Sequence, residues 1–83
     1  LKKFKVKQIN QEFETLKEAV EFTIENNITI DPYKDIIQYI RGEKVNLDNF
    51  DIQYIARKLE GLSDEWIKKL EKEDFKRTIT INS

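Results

Sequence analysis

Gly42, Gly61 and Pro32 are the only glycines and the only proline in this chain of 83 residues. With so few breakers, most of the chain must enter regular elements, and capping residues have to mark where those elements begin. Thr15-Leu16-Lys17-Glu18 is a capping box, in which hydroxyl and carboxylate satisfy orphan backbone N–H groups at a helix start. Leu16, Ala19, Val20, Thr23 and Ile24 then form a helical stripe that stops at Asn26-Asn27. Asp31-Pro32 predicts a second helix, with Asp as N-cap and Pro where its missing N–H costs nothing. Tyr33, Ile36, Ile37 and Ile40 share one face of it, and Gly42 is the expected stop. A third helix is expected from Asp48 to Gly61, with Ile52, Ile55, Ala56 and Leu59 inward. Ser63 caps a short fourth helix whose inward residues are Trp66, Ile67 and Leu70, so Trp66 is expected in the core.

Strand signals lie outside these segments. Phe4 and Val6 alternate with Lys3, Lys5 and Lys7, the period of a half-buried strand. Asn10-Gln11 predicts a two-residue turn that sets Lys7 opposite Glu14 on a short return strand. Ile28-Thr29-Ile30 reads as extended, and Thr78-Ile79-Thr80-Ile81 alternates cleanly at the end of the chain. The expected fold class is α+β, in one domain over residues 1–83. Short N- and C-terminal strands form a small antiparallel sheet, and about four short helices between them pack on one face.

Composition removes several kinds of chemistry. The chain has no Cys and no His, hence no disulfide framework, no thiolate nucleophile and no imidazole base or ligand. Ser63 and Ser83 are the serine hydroxyls, with no imidazole to activate either. Asn46, Asp48, Asn49 and Asp51 crowd four oxygen ligands together, but the Gly and the twelfth-position Glu of a calcium loop are missing, and helix capping accounts for them. No enzyme activity, metal or cofactor is expected. No apolar run reaches the roughly 18 residues of a membrane span, and the basic start has no signal-peptide stretch. A soluble, cytoplasmic domain follows as the expectation, and abundant Lys and Ile beside three Arg suggest a low-GC bacterium or a phage.

Net charge is −1, unevenly spread. Residues 1–9 carry Lys2, Lys3, Lys5 and Lys7 without an acid, while residues 10–27 set five Glu against Lys17 alone. On a helix at about 100° per residue, Glu14, Glu18, Glu21 and Glu25 fall in one narrow stripe. Like charges three and four apart cost a few tenths of a kcal/mol per pair, so stability alone does not select such a stripe. Two readings compete: an acidic ridge that docks on a basic protein surface, and a solvated face partly neutralised by the first strand.

The third helix carries more apolar material than one face needs. Phe50 and Tyr54 project opposite Ile55 and Leu59, beside Arg57, and aromatics with Arg on a polar face suit a protein-binding hot spot. Phe22 and Tyr39 sit at the edges of their own stripes, so a homodimer interface built on Phe22, Tyr39, Phe50 and Tyr54 is a further alternative.

Lys34, Gln38 and Arg41 share the outer face of the second expected helix, followed by Lys44, and these residue types read bases and phosphates. The run Ile37-Gln38-Tyr39-Ile40-Arg41-Gly42-Glu43-Lys44, with Ile55-Ala56-Arg57-Lys58-Leu59 and Ser63-Asp64-Glu65-Trp66, resembles the rear half of lambda-repressor-like helix-turn-helix domains. The resemblance implies a recognition helix ahead of Arg41-Gly42 and makes Lys34, Gln38, Arg41 and Lys44 candidate DNA contacts. Asn26–Asp31 and Pro32 replace the turn that should precede that helix.

The function expected first is a non-catalytic regulator or inhibitor that occludes a protein surface through the Glu14/Glu18/Glu21/Glu25 ridge and the Phe50/Tyr54/Arg57 patch. Its partner would be a protein with a basic surface. DNA binding and self-association stand as the alternatives.

Overall fold

A computed structural model describes the backbone of residues 1–82 and the side chains of residues 1–76. The order along the chain is β1 (Lys2–Val6), β2 (Gln11–Phe13), α1 (Leu16–Glu25), β3 (Ile36–Ile40), β4 (Glu43–Val45), α2 (Asn49–Leu59) and α3 (Asp64–Asn82). The strands form one antiparallel sheet in the order β2-β1-β3-β4, so the fold is α+β with four strands and three helices.

Strand alternation decides which face is dry. Phe4 and Val6 of β1, Phe13 of β2, and Ile36 and Gln38 of β3 point inward and are buried. Lys3 and Lys5 lie on the opposite face, across from Tyr39 and Ile37. Ala19 and Val20 of α1 and Ile55 of α2 close the core from the helical side. Fully burying such an aliphatic side chain contributes about 1.5–3 kcal/mol, and Val6, Val20 and Ile55 are completely buried. Ile67 anchors α3 in the same way from beside α2.

The helix starts follow their caps. Thr15 Oγ1 accepts from the Glu18 N–H at 3.1 Å and donates to the Glu18 carboxylate at 3.0 Å. Asp48 Oδ1 accepts from the Asp51 N–H at 2.8 Å. Ser63 Oγ accepts from the Trp66 N–H at 3.3 Å. At the end of α2, the Gly61 N–H reaches the Lys58 carbonyl and the Leu62 N–H reaches the Arg57 carbonyl, a Schellman closure with Gly61 at φ +94°.

Several expectations are corrected. The helix expected from Asp31-Pro32 is a single turn followed by a strand. Asp31 Oδ1 accepts from the Tyr33 N–H at 2.8 Å, and the Asp35 N–H reaches the Asp31 carbonyl at 3.1 Å. The chain then straightens, because Ile36, Ile37, Tyr39 and Ile40 find a pairing partner along all of β1. Gly42 ends no helix. With Arg41 at φ +53° and Gly42 at φ +83° between paired Ile40 and Glu43, these two residues make the type I′ hairpin turn joining β3 to β4. A lambda-repressor-like recognition helix is thereby excluded from this segment.

The expected C-terminal strand at Thr78–Ile81 is instead the end of α3; the side chains there and Ser83 lie outside the described residues. Both sides of β1 are already taken, by β2 and β3, and the sequence has no Gly or Pro between Ser63 and Ile81 to stop the helix. Three helices therefore replace the expected four. Ile28–Ile30 is a connector rather than a strand, although Ile30 is buried. The β1–β2 register also differs: Val6 faces Gln11 across a four-residue loop, with Asn10 at φ +52°. Glu14 consequently lies 3.8 Å from Lys3 rather than opposite Lys7. Trp66 is 57% exposed, outside the core, because Ile67 takes the inward position.

Candidate functional site

Of the four glutamates expected to form a ridge, three stay together. Glu14 precedes the helix and turns to Lys3 across the sheet edge. Glu18, Glu21 and Glu25 share a shallow hollow of about 320 Å³ with Phe13 and Phe22. The two rings lie 5.3 Å apart between centroids and tilted at 51°, a favourable aromatic arrangement. Lys17, the single base of α1, does little to neutralise this face. Its Nζ sits 2.9 Å from Asp64 of α3 and only 3.9 Å from Glu21. Asp64 raises the Lys17 pKa, through a hydrogen bond first and then through its charge. Glu18 and Glu25 have no cation at ion-pair distance among the described residues. The hollow is thus aromatic at its floor, acidic at its rim, and lined by no base.

The expected Phe50/Tyr54/Arg57 patch does not assemble on the surface. Tyr54 is half-buried and donates its hydroxyl to Asp64 at 3.0 Å, and Arg57 pairs with Asp74 at 3.0 Å. Both residues join α2 to α3. Burial, and then the neighbouring Asp64, push the Tyr54 pKa upward. Asp64 is held down at about 2, chiefly by the Lys17 hydrogen bond and further by Tyr54 and Lys58. Phe50, at 45% exposure, is left beside Phe75 in a hollow of about 460 Å³ edged by Lys68, Glu71, Lys72 and Lys76. Phe75 is 57% exposed.

A third hollow, of about 530 Å³, opens where the β3–β4 hairpin meets the 31–35 turn and the approach to α2. Lys34, Gln38 and Lys44, three of the four candidate DNA contacts, all line it. Arg41 does not, since it occupies the hairpin turn. Lys7 and Tyr33 complete the polar wall, and Ile36, Val45, Leu47 and Ile52 supply an apolar one. The sequence offers Lys7 only as a strand lysine and Tyr33 only on the apolar face of an expected helix, because only the β1–β3 pairing carries the end of β1 next to the 31–35 turn; Tyr33 is in fact exposed. Likewise Phe13 joins the acidic hollow through strand pairing, where helical periodicity cannot place it.

Among the described residues no group of three or more potential metal ligands occurs, and no helix is long and apolar enough to cross a membrane. No protein-family model matches the chain, and no significant match exists among curated proteins or solved structures.

Proposed function

We propose that this chain is a non-catalytic protein-binding domain, a small regulator or inhibitor that occludes a partner by capturing a basic segment on the α1 face. The observation that carries it is the hollow of Phe13, Phe22, Glu18, Glu21 and Glu25, whose rim has, among the described residues, only the weak Lys17–Glu21 contact to offset its charge. Carboxylates around an aromatic floor suit a lysine or arginine side chain, which takes charge from the rim and packs its alkyl stem or guanidinium plane on the rings. Uncompensated charge also steers a basic partner toward this face and raises the association rate.

The test is a titration of isotope-labelled protein with an oligo-arginine peptide, followed through backbone amide shifts. Shifts should gather at Phe13 and along residues 18–25. They should vanish in the Glu21→Lys/Glu25→Lys variant, which leaves the Thr15–Glu18 cap intact. Shifts scattered over the surface, or unchanged by the double reversal, would defeat the proposal.

Self-association is a second reading, favoured by Phe50 and Phe75 exposed in one hollow with both Lys and Glu at its edge. A rim of mixed sign is able to complement its own copy. Light scattering over a range of concentrations checks it, and a mass that stays monomeric removes it.

A further inference from the structure

Among the described residues Gln38 is the buried polar side chain of the sheet. Its register partners are Phe4 and Val45, and the residue is only 5% exposed. A buried amide ordinarily finds partners, since leaving its donors and acceptor unmet costs about 1–3 kcal/mol. The Gln38 amide has no hydrogen-bond partner among the described residues. Yet among the described residues no buried side-chain nitrogen or oxygen is sealed off without a partner, so the polar atoms of Gln38 keep contact with solvent, and Gln38 lines the hollow.

The charged residues that line that hollow have one sign. Lys7, Lys34 and Lys44 line it, and no Asp or Glu does. None of the three lysines is in an ion pair among the described residues. Asp35, next to Lys34, is outside the lining: its Oδ2 accepts from the Asp31 N–H at 2.7 Å and from Gln8 at 2.8 Å, and it feels the charges of Lys34 and Lys7 without forming an ion pair with either. The Asp31 N–H first, and then Gln8 and the charges of Lys34 and Lys7, hold the Asp35 pKa down. Tyr33, 73% exposed, stands at the mouth, with Ile36, Val45, Leu47 and Ile52 behind.

We infer that this hollow binds a nucleotide: the lysines take the phosphate, Tyr33 stacks on the base, and the Gln38 amide meets the base edge. Lysine supplies compact charge for phosphate, aromatic faces stack on any base, and a glutamine amide pairs donor and acceptor with a base edge. A volume of about 530 Å³ falls in the range of about 300–1,000 Å³ found for small-ligand sites. The same chemistry is met by a free mononucleotide and by one nucleotide of a single strand. This site does not involve the α1 face, so it stands or falls apart from the protein-binding proposal.

The experiment titrates the full chain with AMP, with an oligo(A) single strand and with inorganic phosphate at low salt, read by amide shifts. AMP should shift residues 33–38 and 44–47 and leave 18–25 unmoved. Lys7→Ala/Lys34→Ala should weaken AMP at least tenfold, and Tyr33→Ala should weaken AMP while sparing phosphate. Gln38→Leu should do the same, and the exposed Tyr33 variant carries the test if Gln38→Leu fails to fold. The remote Lys69→Ala should change nothing. Tighter binding of oligo(A) than of AMP assigns the site to a strand, and equal binding assigns it to the free nucleotide. Absence of shifts in the hollow overturns the inference. So does phosphate binding as well as AMP with Tyr33→Ala without effect, which would leave only a nonspecific anion patch.

Discussion

The Tyr54 hydroxyl donates to Oδ1 of Asp64 at 3.0 Å, and Lys17 approaches Oδ2 of the same carboxylate at 2.9 Å. One side chain at the first residue of α3 therefore ties together all three helices. It removes Tyr54 from the surface and draws Lys17 away from the acidic ridge, so the tie that assembles the helical layer also leaves the α1 hollow charged.

The tie has a signature in acid and in base. Asp64 titrates at about 2 in the folded chain against an ordinary 3.8, so its contribution is complete above pH 3.8 and is lost as pH falls through 2. Tyr54 is shifted upward from 10.0, so its contribution is complete below pH 10 and fades as the pH rises through the folded-state value. Urea unfolding at a series of pH values should show Asp64→Asn flattening the acid limb and Tyr54→Phe flattening the alkaline one. Near neutral pH, Asp64→Ala should cost about 1–3 kcal/mol, more than Tyr54→Phe.

Trp66 is the single tryptophan and is mostly exposed, with Lys69 Nζ 5.0 Å from its ring centroid. Its fluorescence in the native chain should resemble that of tryptophan in water and be quenched readily by iodide. Trp66→Ala should cost less than about 1 kcal/mol in chemical denaturation.

Ile67 and Ile55 are both buried but do different work. Ile55 belongs to the central cluster beneath the sheet, whereas Ile67 is the buried anchor of α3 among the described residues. Each substitution by Ala should cost about 2–5 kcal/mol. Amide exchange should separate them, with Ile55→Ala lowering protection everywhere and Ile67→Ala lowering it first in α3.

The Arg41-Gly42 turn is improvable. Arg41 holds φ +53° with a side chain that disfavours it, and a Cβ on Gly42 would meet nothing within 4 Å. Arg41→Asn should stabilise by about 0.5–1 kcal/mol, since Asn tolerates this conformation better. Gly42→Ala should cost about 1–2 kcal/mol from backbone conformation alone, as shown by a lowered Tm.

Local signals were legible where they were self-contained. The alternation of Phe4 and Val6, the Thr15 and Asp48 caps and Gly61 after α2 all act within a few residues and stand as expected, although the Glu18 carboxylate accepts from the Thr15 hydroxyl rather than from a backbone N–H. Asp31-Pro32 and the spacing of Tyr33, Ile36, Ile37 and Ile40 carried a helical signal equally well. That segment became a strand because β1 offered a full ladder, and pairing is a relation between distant residues that local periodicity does not contain. Seating β3 beside β1 brought Lys7 to Lys34 and turned Gln38 inward, which created the polar hollow.

By itself, then, the sequence determined the α+β class, the first strand, the caps of α1 and α2 and the Glu18, Glu21 and Glu25 part of the acidic stripe, because backbone donors and side-chain period set these locally. Tertiary structure decided the fate of residues 31–45, the exposure of Trp66 and the grouping of every candidate site. Those outcomes depend on which strand finds a free edge and which carboxylate reaches which cation, and both are settled only when remote segments meet.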